Sequence, residues 1–243
     1  MATMIRNPFA EGADAPRAAA SKADIYERIY DAIVEHRLMP GTKLSEERVA
    51  RLFSVSRTQV RGVLQRLAVE QLVTMIPNRG AFVTTPSADE ARDVLEVRRT
   101  LEPAIVARLI RRIGDGKAPQ ALRQLRAITK QEHQAHAKGD RRASVRLSGE
   151  FHVKLAQCSG SPVMTRMMRE LTPLTCLAIL TFEAPTATAC PDDEHDRLID
   201  AIETGDEAAA MSLMIEHLDH IEASLSLEQT RDPETDLARA LFG

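Results

Sequence analysis

The 243-residue chain has no tryptophan, two tyrosines and six phenylalanines. Aromatics make up 3% of it and hydrophobic residues 44%, so its cores must be built from Leu, Ile, Val, Ala and Met, a composition that leans towards helix. Cysteine is scarce. Cys158, Cys176 and Cys190 are odd in number and widely spaced, which argues against a disulfide framework and for a reducing, cytoplasmic setting. Long apolar runs are missing as well. The most apolar stretch, 171–182, is too short for a bilayer and is interrupted by Pro173 and threonines, so no membrane association is expected. Residues 1–20 lack the apolar run of a signal peptide and read as a flexible arm.

An excess of one charge is also lacking, since the net charge is -3, but the distribution is uneven. Residues 21–84 carry 10 Lys+Arg against 7 Asp+Glu, and residues 85–243 carry 20 against 26. A basic module joined to an acidic one suits nucleic-acid binding by the first part alone.

Ser21 caps an expected helix in which Ile25, Ile29, Ala32 and Ile33 share one face, and Pro40-Gly41 stops it. Ser45 opens a second helix with Val49, Leu52 and Phe53 expected inside. Ser54 to Ser56 form a turn, and a third helix runs from about Arg57 to Glu70, with Val60, Val63, Leu64 and Leu67 buried. Two short strands over 72–76 and 81–84 flank the turn Pro77-Asn78-Arg79-Gly80. Three helices and a hairpin make a winged helix-turn-helix over 21–85. Ser87 with Glu90 forms a capping box at the junction. Beyond it only helical patterns remain, over about 87–113, 118–138, 141–159, 161–182, 192–203 and 206–228. The fold expected is therefore mainly α, an N-terminal winged helix followed by an all-helical bundle over 86–228, with 229–243 as a tail.

Arg57 and Arg61 lie one turn apart and share a helix face with Thr58 and Gln65 at its borders. Arginine matches guanine O6 and N7, and Thr or Gln reaches phosphates or base edges. Arg79-Gly80 at the hairpin tip adds a cation and a backbone able to approach a groove wall. Any one of these arginines alone would be read as a solvated side chain. The ordered set of helix, polar turn, Arg-x-x-x-Arg helix and Gly-tipped hairpin points to double-stranded DNA.

Three stretches, Pro40-Gly41-x-x-Leu44-Ser45-Glu46, Val55-Ser56-Arg57-Thr58-x-Val60-Arg61-x-x-Leu64-x-Arg66-Leu67 and Pro77-Asn78-Arg79-Gly80-Ala81-x-Val83, resemble the winged helix of GntR-family bacterial transcription regulators. Gln59 stands where that family usually has proline, and Gly62 where it usually has glutamate, removing a carboxylate that often orients a neighbouring arginine. The helical remainder is similar to the effector domain called FCD, of the FadR-like branch, through Glu96-Val97-Arg98-x-x-Leu101-Glu102, Glu150-Phe151-His152 with Ala156-x-x-Ser159-Gly160, and the run from Glu194-His195 to His217-Leu218. The resemblance implies that Arg57 and Arg61 read bases or phosphates, Thr58 touches the backbone and Gly80 meets the minor groove.

It also implies a divalent transition metal, zinc being the ion expected, held by His152, His195 and His217 on three helices. Imidazoles suit such ions, and three of them leave open positions for water or an acid. The usual fourth ligand, an aspartate one turn before the first histidine, is replaced by Ser148, so an anionic effector would complete the sphere. The alternatives are hydrogen-bonded core histidines or a site that has lost its metal, and three imidazoles in register favour the metal. His220 is either a pocket member or exposed, and His36, His133 and His136 read as surface residues. Arg98 either clamps an effector carboxylate or pairs internally with Glu102, and Arg99 is expected to be solvated or at the junction. The function expected is that of a ligand-responsive regulator: a repressor, a homodimer or tetramer on an inverted-repeat operator, released by a small carboxylate metabolite. A metal-dependent hydrolase or isomerase is the rival from another class. It lacks a placed acid, base or nucleophile beside the histidines. A DNA-binding module answering to a protein partner is a second rival.

Overall fold

The computed structural model describes residues 20–35, 37–182 and 193–227. Residues 1–19 of the arm, His36, Cys190, the expected break at Ala184-Pro185 and the tail from 229 lie outside the described residues. The first unit is α1 (Lys22–Val34), β1 (Lys43–Leu44), α2 (Glu46–Phe53), α3 (Arg57–Val69), β2 (Val73–Ile76) and β3 (Gly80–Val83). Ser21, Ser45 and Ser56 each accept a hydrogen bond from the backbone N–H three residues on, the arrangement that satisfies a first-turn donor left without an intrahelical partner. Ser54 ends α2 in the left-handed region at φ 55°, which makes the tight turn into α3.

The sheet is antiparallel with order β1-β3-β2. Strand β1 is an addition to the expected hairpin. It pairs Lys43 with Phe82 and Leu44 with Ala81. Val60, Val63, Leu64 and Leu67 of α3 are buried against Ile25, Ile29 and Ile33 of α1 and against Leu44, Leu72, Ala81 and Val83. Leu52 corrects the expectation for α2. It is 79% exposed, and Ala50 with the partly buried Val49 and Phe53 faces inward instead, because an eight-residue helix offers only two turns to the core.

Among the described residues six further helices follow: α4 (Ala88–Gly114), α5 (Ala121–Ala137), α6 (Arg141–Cys158), α7 (Pro162–Phe182), α8 (Glu194–Thr204) and α9 (Glu207–Ser224). The Ser87–Glu90 capping box opens α4. Their core gathers Leu95, Ile105, Val106 and Leu109 of α4, Phe151 and Leu155 of α6, Leu198, Ile199 and Ile202 of α8, and Met214 and Leu218 of α9. Helix α9 ends four residues earlier than the pattern suggests. Leu225 and Leu227 stay buried while the Ser226 N–H bonds the Phe182 carbonyl, so the apolar spacing continues in extended chain. Arg99 is neither solvated nor at the junction. It clamps α4 to α9 through Asp219 at 2.6 Å and through Glu222. Helix α7 belongs to both cores. Met168 and Ala178 are buried with the bundle, whereas Leu174 and Leu177 pack into the core of the winged helix.

Candidate functional site

On the first unit, α3 presents Arg57, Thr58, Arg61 and Gln65 to solvent, and all four are exposed. The two arginines converge on a single carboxylate from α2. Arg61 donates to Glu46 in bidentate fashion at 2.8 and 2.9 Å, and Arg57 Nη2 lies 3.8 Å from the same group. Arg61 holds the Glu46 carboxyl below the usual carboxylate range. The pair therefore stands pre-aimed along one edge of the helix. Arg79 sits at the wing tip above the Phe82 ring, with its guanidinium carbon 6.0 Å from the ring centre. Gly80 beside it has φ +102°, a conformation that L side chains rarely adopt.

In the bundle, α6, α8 and α9 bring His152, His195 and His217 together, all buried, with one ring nitrogen from each within 4.8 Å of the others. Each ring is held from behind by a carboxylate on its Nδ1. His152 faces Glu102 of α4 at 2.5 Å, His195 faces Glu132 of α5 at 2.8 Å, and His217 faces Glu194 of α8 at 2.7 Å. Phe151 stacks on His195 at 4.1 Å between ring centres. Glu194 also meets His220, which places that half-exposed histidine behind the trio rather than in it.

The charges decide which nitrogen faces the centre. Burial would raise the Glu102 carboxyl, but the Arg98 guanidinium and His152 outweigh it and hold it down to about 2. Burial likewise opposes the Glu194 charge, and hydrogen bonds from His217 and His220 prevail, holding it low. Ionised carboxylates only accept, so the imidazoles they hold carry their proton on Nδ1. Burial also depresses His152 to about 4 and His217 to about 3, so both rings are neutral at pH 7 and turn a lone pair inward. Those two Nε2 atoms are 3.1 Å apart, and His195 Nε2 is buried with no hydrogen-bond partner among the described residues. The inward lone pairs of His152 and His217 repel one another unless a cation sits between them, and a His195 ring nitrogen lies within 4.8 Å of both rings' nitrogens. This is the donor set and the outer-shell arrangement of a transition-metal centre. Ser148 is half-buried one turn before His152 on α6.

Arg98 lies beside this centre. It is 1% exposed, and its Nε donates to the second oxygen of Glu102 at 2.5 Å while Nη1 donates to Thr175 of α7 at 3.0 Å. Its Nη2 is buried with no partner among the described residues. The internal pair and a spare donor thus coexist, and Glu102 joins the arginine to the histidine cluster.

Residues 21–83 match the gntR family of bacterial regulatory proteins, and residues 93–220 match the FCD domain. The chain belongs to the GntR family and carries an FCD domain. It is 26% identical over 216 residues to the HTH-type transcriptional repressor RspR of Escherichia coli K12, covering 87% of this chain and 91% of the relative. It is also 26% identical over 212 residues to the regulator LutR of Bacillus subtilis 168, covering 78% and 94%. A GntR regulator from Rhodococcus sp. RHA1 superposes with a TM-score of 0.72 at 25% identity, covering 83% of this chain and 95% of that one. This GntR protein is accordingly a DNA-binding transcription regulator with an effector-binding domain, and its family is not one of enzymes. No helix among the described residues is long and apolar enough to cross a membrane.

The structure brings together the three histidines and sets Arg98 next to them through Glu102. On the DNA-binding unit it groups Arg57 and Arg61, with Arg79 and Gly80 on the wing. Sequence reasoning missed Glu46, Glu132, Glu194 and Thr175. Glu46 and Glu194 stood in the family-like stretches without a role of their own, Glu132 gave no signal beyond its type, and each meets its partner across 15 to 63 residues of chain.

Proposed function

We propose that this GntR regulator is a metal-centred repressor: a homodimer that binds an inverted-repeat operator through α3 and the wing and releases it when a small carboxylate enters the bundle. His152, His195 and His217 would hold a divalent transition metal, with zinc favoured by three neutral nitrogens. The metal would supply a positive charge with open positions. Arg98 adds a second cation, and its unpartnered Nη2 leaves the guanidinium on the same edge as the Nε–H that meets Glu102. A carboxylate would bond that donor in the charge-assisted manner arginine favours. The observation that carries the reading is this pairing of unpartnered buried atoms, His195 Nε2 and Arg98 Nη2, because orphaned polar groups in a native core are few and costly.

Helix α7 offers the route from bundle to DNA. Thr175 accepts from Arg98 and donates to the Leu171 carbonyl at 3.2 Å, while Leu174 and Leu177 on the same helix sit in the winged-helix core. Pro173 between them lacks an N–H for the Arg169 carbonyl, and a helix bends most readily at such a point. A ligand that draws Arg98 away from Thr175 would reset this turn and with it the winged helix. Val97 and Met167 expose apolar surface and line one groove with Leu101 and Ala104, a face suited to a second copy of the chain. The repressor named among the relatives is in keeping with this direction of control, and a role on DNA is in keeping with a cytoplasmic protein.

The test is a thermal-shift series on purified protein with lactate, succinate and citrate, with and without chelator, alongside elemental analysis. A ligand that binds only the native state raises the melting temperature according to how far its concentration exceeds its Kd. Metal bound at about one per subunit, with carboxylate shifts abolished by chelator, is the expected result. Metal-free protein indifferent to every acid would refute the effector centre and leave the partner-protein reading.

A further inference from the structure

The flank of α3 carries an arrangement that the arginine pair does not use. Gly62 follows Thr58 by one turn, so it borders the DNA-reading face on the side away from the core. Nothing in its backbone requires glycine, because its φ is ordinary and a Cβ added there meets only the Lys22 ammonium, at 3.8 Å. The open side of Gly62 is thus where the Lys22 side chain lies. A second contact fixes the chain nearby, for Gln59, one turn before Gly62 on the same flank, donates from Nε2 to the Ala20 carbonyl at 3.3 Å. Lys22 is exposed and forms no ion pair among the described residues. The adjacent Asp24 is occupied by the Ser21 cap. As the first residue of α1, Lys22 faces the positive end of that helix's dipole, so the cation does nothing for the helix that bears it.

We propose that Lys22 is a DNA-phosphate contact, lying over the recognition helix at Gly62 and serving as a third cation of the DNA face beside Arg57 and Arg61. A helix seated in the major groove is flanked by the two phosphate backbones, and a cation on its flank meets a strand rather than a base edge. Lys22 therefore adds affinity on every sequence and carries no sequence information of its own.

The proposal rests on DNA binding by the winged helix, and the experiment separates the two. Full-length protein is titrated onto operator and onto a random-sequence duplex of about 30 base pairs by fluorescence anisotropy over a range of salt, with wild type, Lys22→Gln and Gly62→Ala compared. Each phosphate neutralised contributes about 0.9 to the slope of log K against log salt. Lys22→Gln should lower the magnitude of that slope by about 0.9 for each subunit bound and weaken operator and random duplex by the same factor. Gly62→Ala, which has room for its methyl, should keep the wild-type slope. An unchanged slope in Lys22→Gln overturns the proposal, and so does a loss confined to one DNA sequence. A wild type with no salt-dependent affinity for duplex DNA would overturn the DNA-binding reading itself. Unchanged melting curves for both variants confirm that the slopes report contacts rather than folding.

Discussion

Replacing Glu132 by Gln tests the metal centre with little damage to the fold. Of the three carboxylates behind the histidines, Glu102 is completely buried and also serves Arg98, and Glu194 serves two histidines. Glu132 serves His195 and its side chain is 18% exposed. Glutamine keeps the shape and still accepts from His195 Nδ1, but it removes the charge that makes the ring a better ligand. Loss of such an outer partner typically costs about 10–100-fold in metal affinity, which is about 1.4–2.7 kcal/mol. With metal well above both dissociation constants, that difference appears in full as lost stability. For a chain of this size each kcal/mol moves the midpoint by roughly 2–4 °C, so the metal-loaded variant should melt about 3–11 °C below metal-loaded wild type. In chelator the gap should shrink to the difference between a hydrogen bond to a charged acceptor and one to a neutral acceptor, about 1 kcal/mol. Scanning calorimetry with zinc and with chelator makes the comparison. An equal drop in both conditions would mean that Glu132 supports the fold and that no metal depends on it.

Arg57→Ala and Arg61→Ala should each weaken operator binding by about 1–3 kcal/mol if the residue makes a bidentate guanine contact; an equal loss on operator and random duplex would demote it to a phosphate contact. Thr175→Val should leave DNA affinity without effector near the wild-type value while shrinking the change that metal and carboxylate produce, and an intact response in gel-shift titrations would remove α7 from the coupling route. In metal-free protein stability should fall in acid, because burial depresses His152 and His217 to about 4 and about 3 and the unfolded chain, titrating near about 6.5, binds more protons throughout that interval. The loss begins as pH drops below about 6.5 and reaches about 3 kcal/mol from His152 alone near pH ~4; a urea midpoint that stays flat from pH ~7 to ~4.5 would contradict it.

How much of this was legible beforehand depended on the range over which each feature is decided. The winged helix was legible because its signals are local: the Ser caps, the Ser54–Ser56 turn, the helical spacing of Val60, Val63, Leu64 and Leu67, and the Pro77–Gly80 turn. Strand β1 was not, since two residues carry no periodicity and are strand only because β3 pairs with them. Leu52 was misplaced because a short helix turns few residues inward, and the choice between Ala50 and Leu52 is made by α3 rather than by α2. The histidines could be grouped only through their likeness to a family. Their carboxylate partners come from α4, α5 and α8, and acidic residues on those helices read like any solvated face. Glu46 shows the same limit on the DNA side. It meets Arg61 from the preceding helix, across 15 residues of chain.

The remaining question at the centre is charge, and Ser148→Asp answers it. Three neutral imidazoles bring no negative charge to a divalent ion, and the full charge of Glu102 is already divided between Arg98 and His152. A hydroxyl at position 148 would leave a bound divalent ion under-compensated, a condition that would favour an incoming anion. An aspartate one turn before His152 would add both a ligand and the missing charge. Ser148→Asp should therefore bind metal more tightly and respond less to carboxylates, because the protein would supply what the effector otherwise brings. Competition for zinc against a chromophoric chelator gives the first quantity, and the carboxylate-induced melting shift at saturating zinc gives the second. Metal affinity unchanged by the substitution would mean that the side chain at this position does not reach the ion. Tighter metal binding with an undiminished carboxylate response would move the effector away from the ion and onto Arg98 alone.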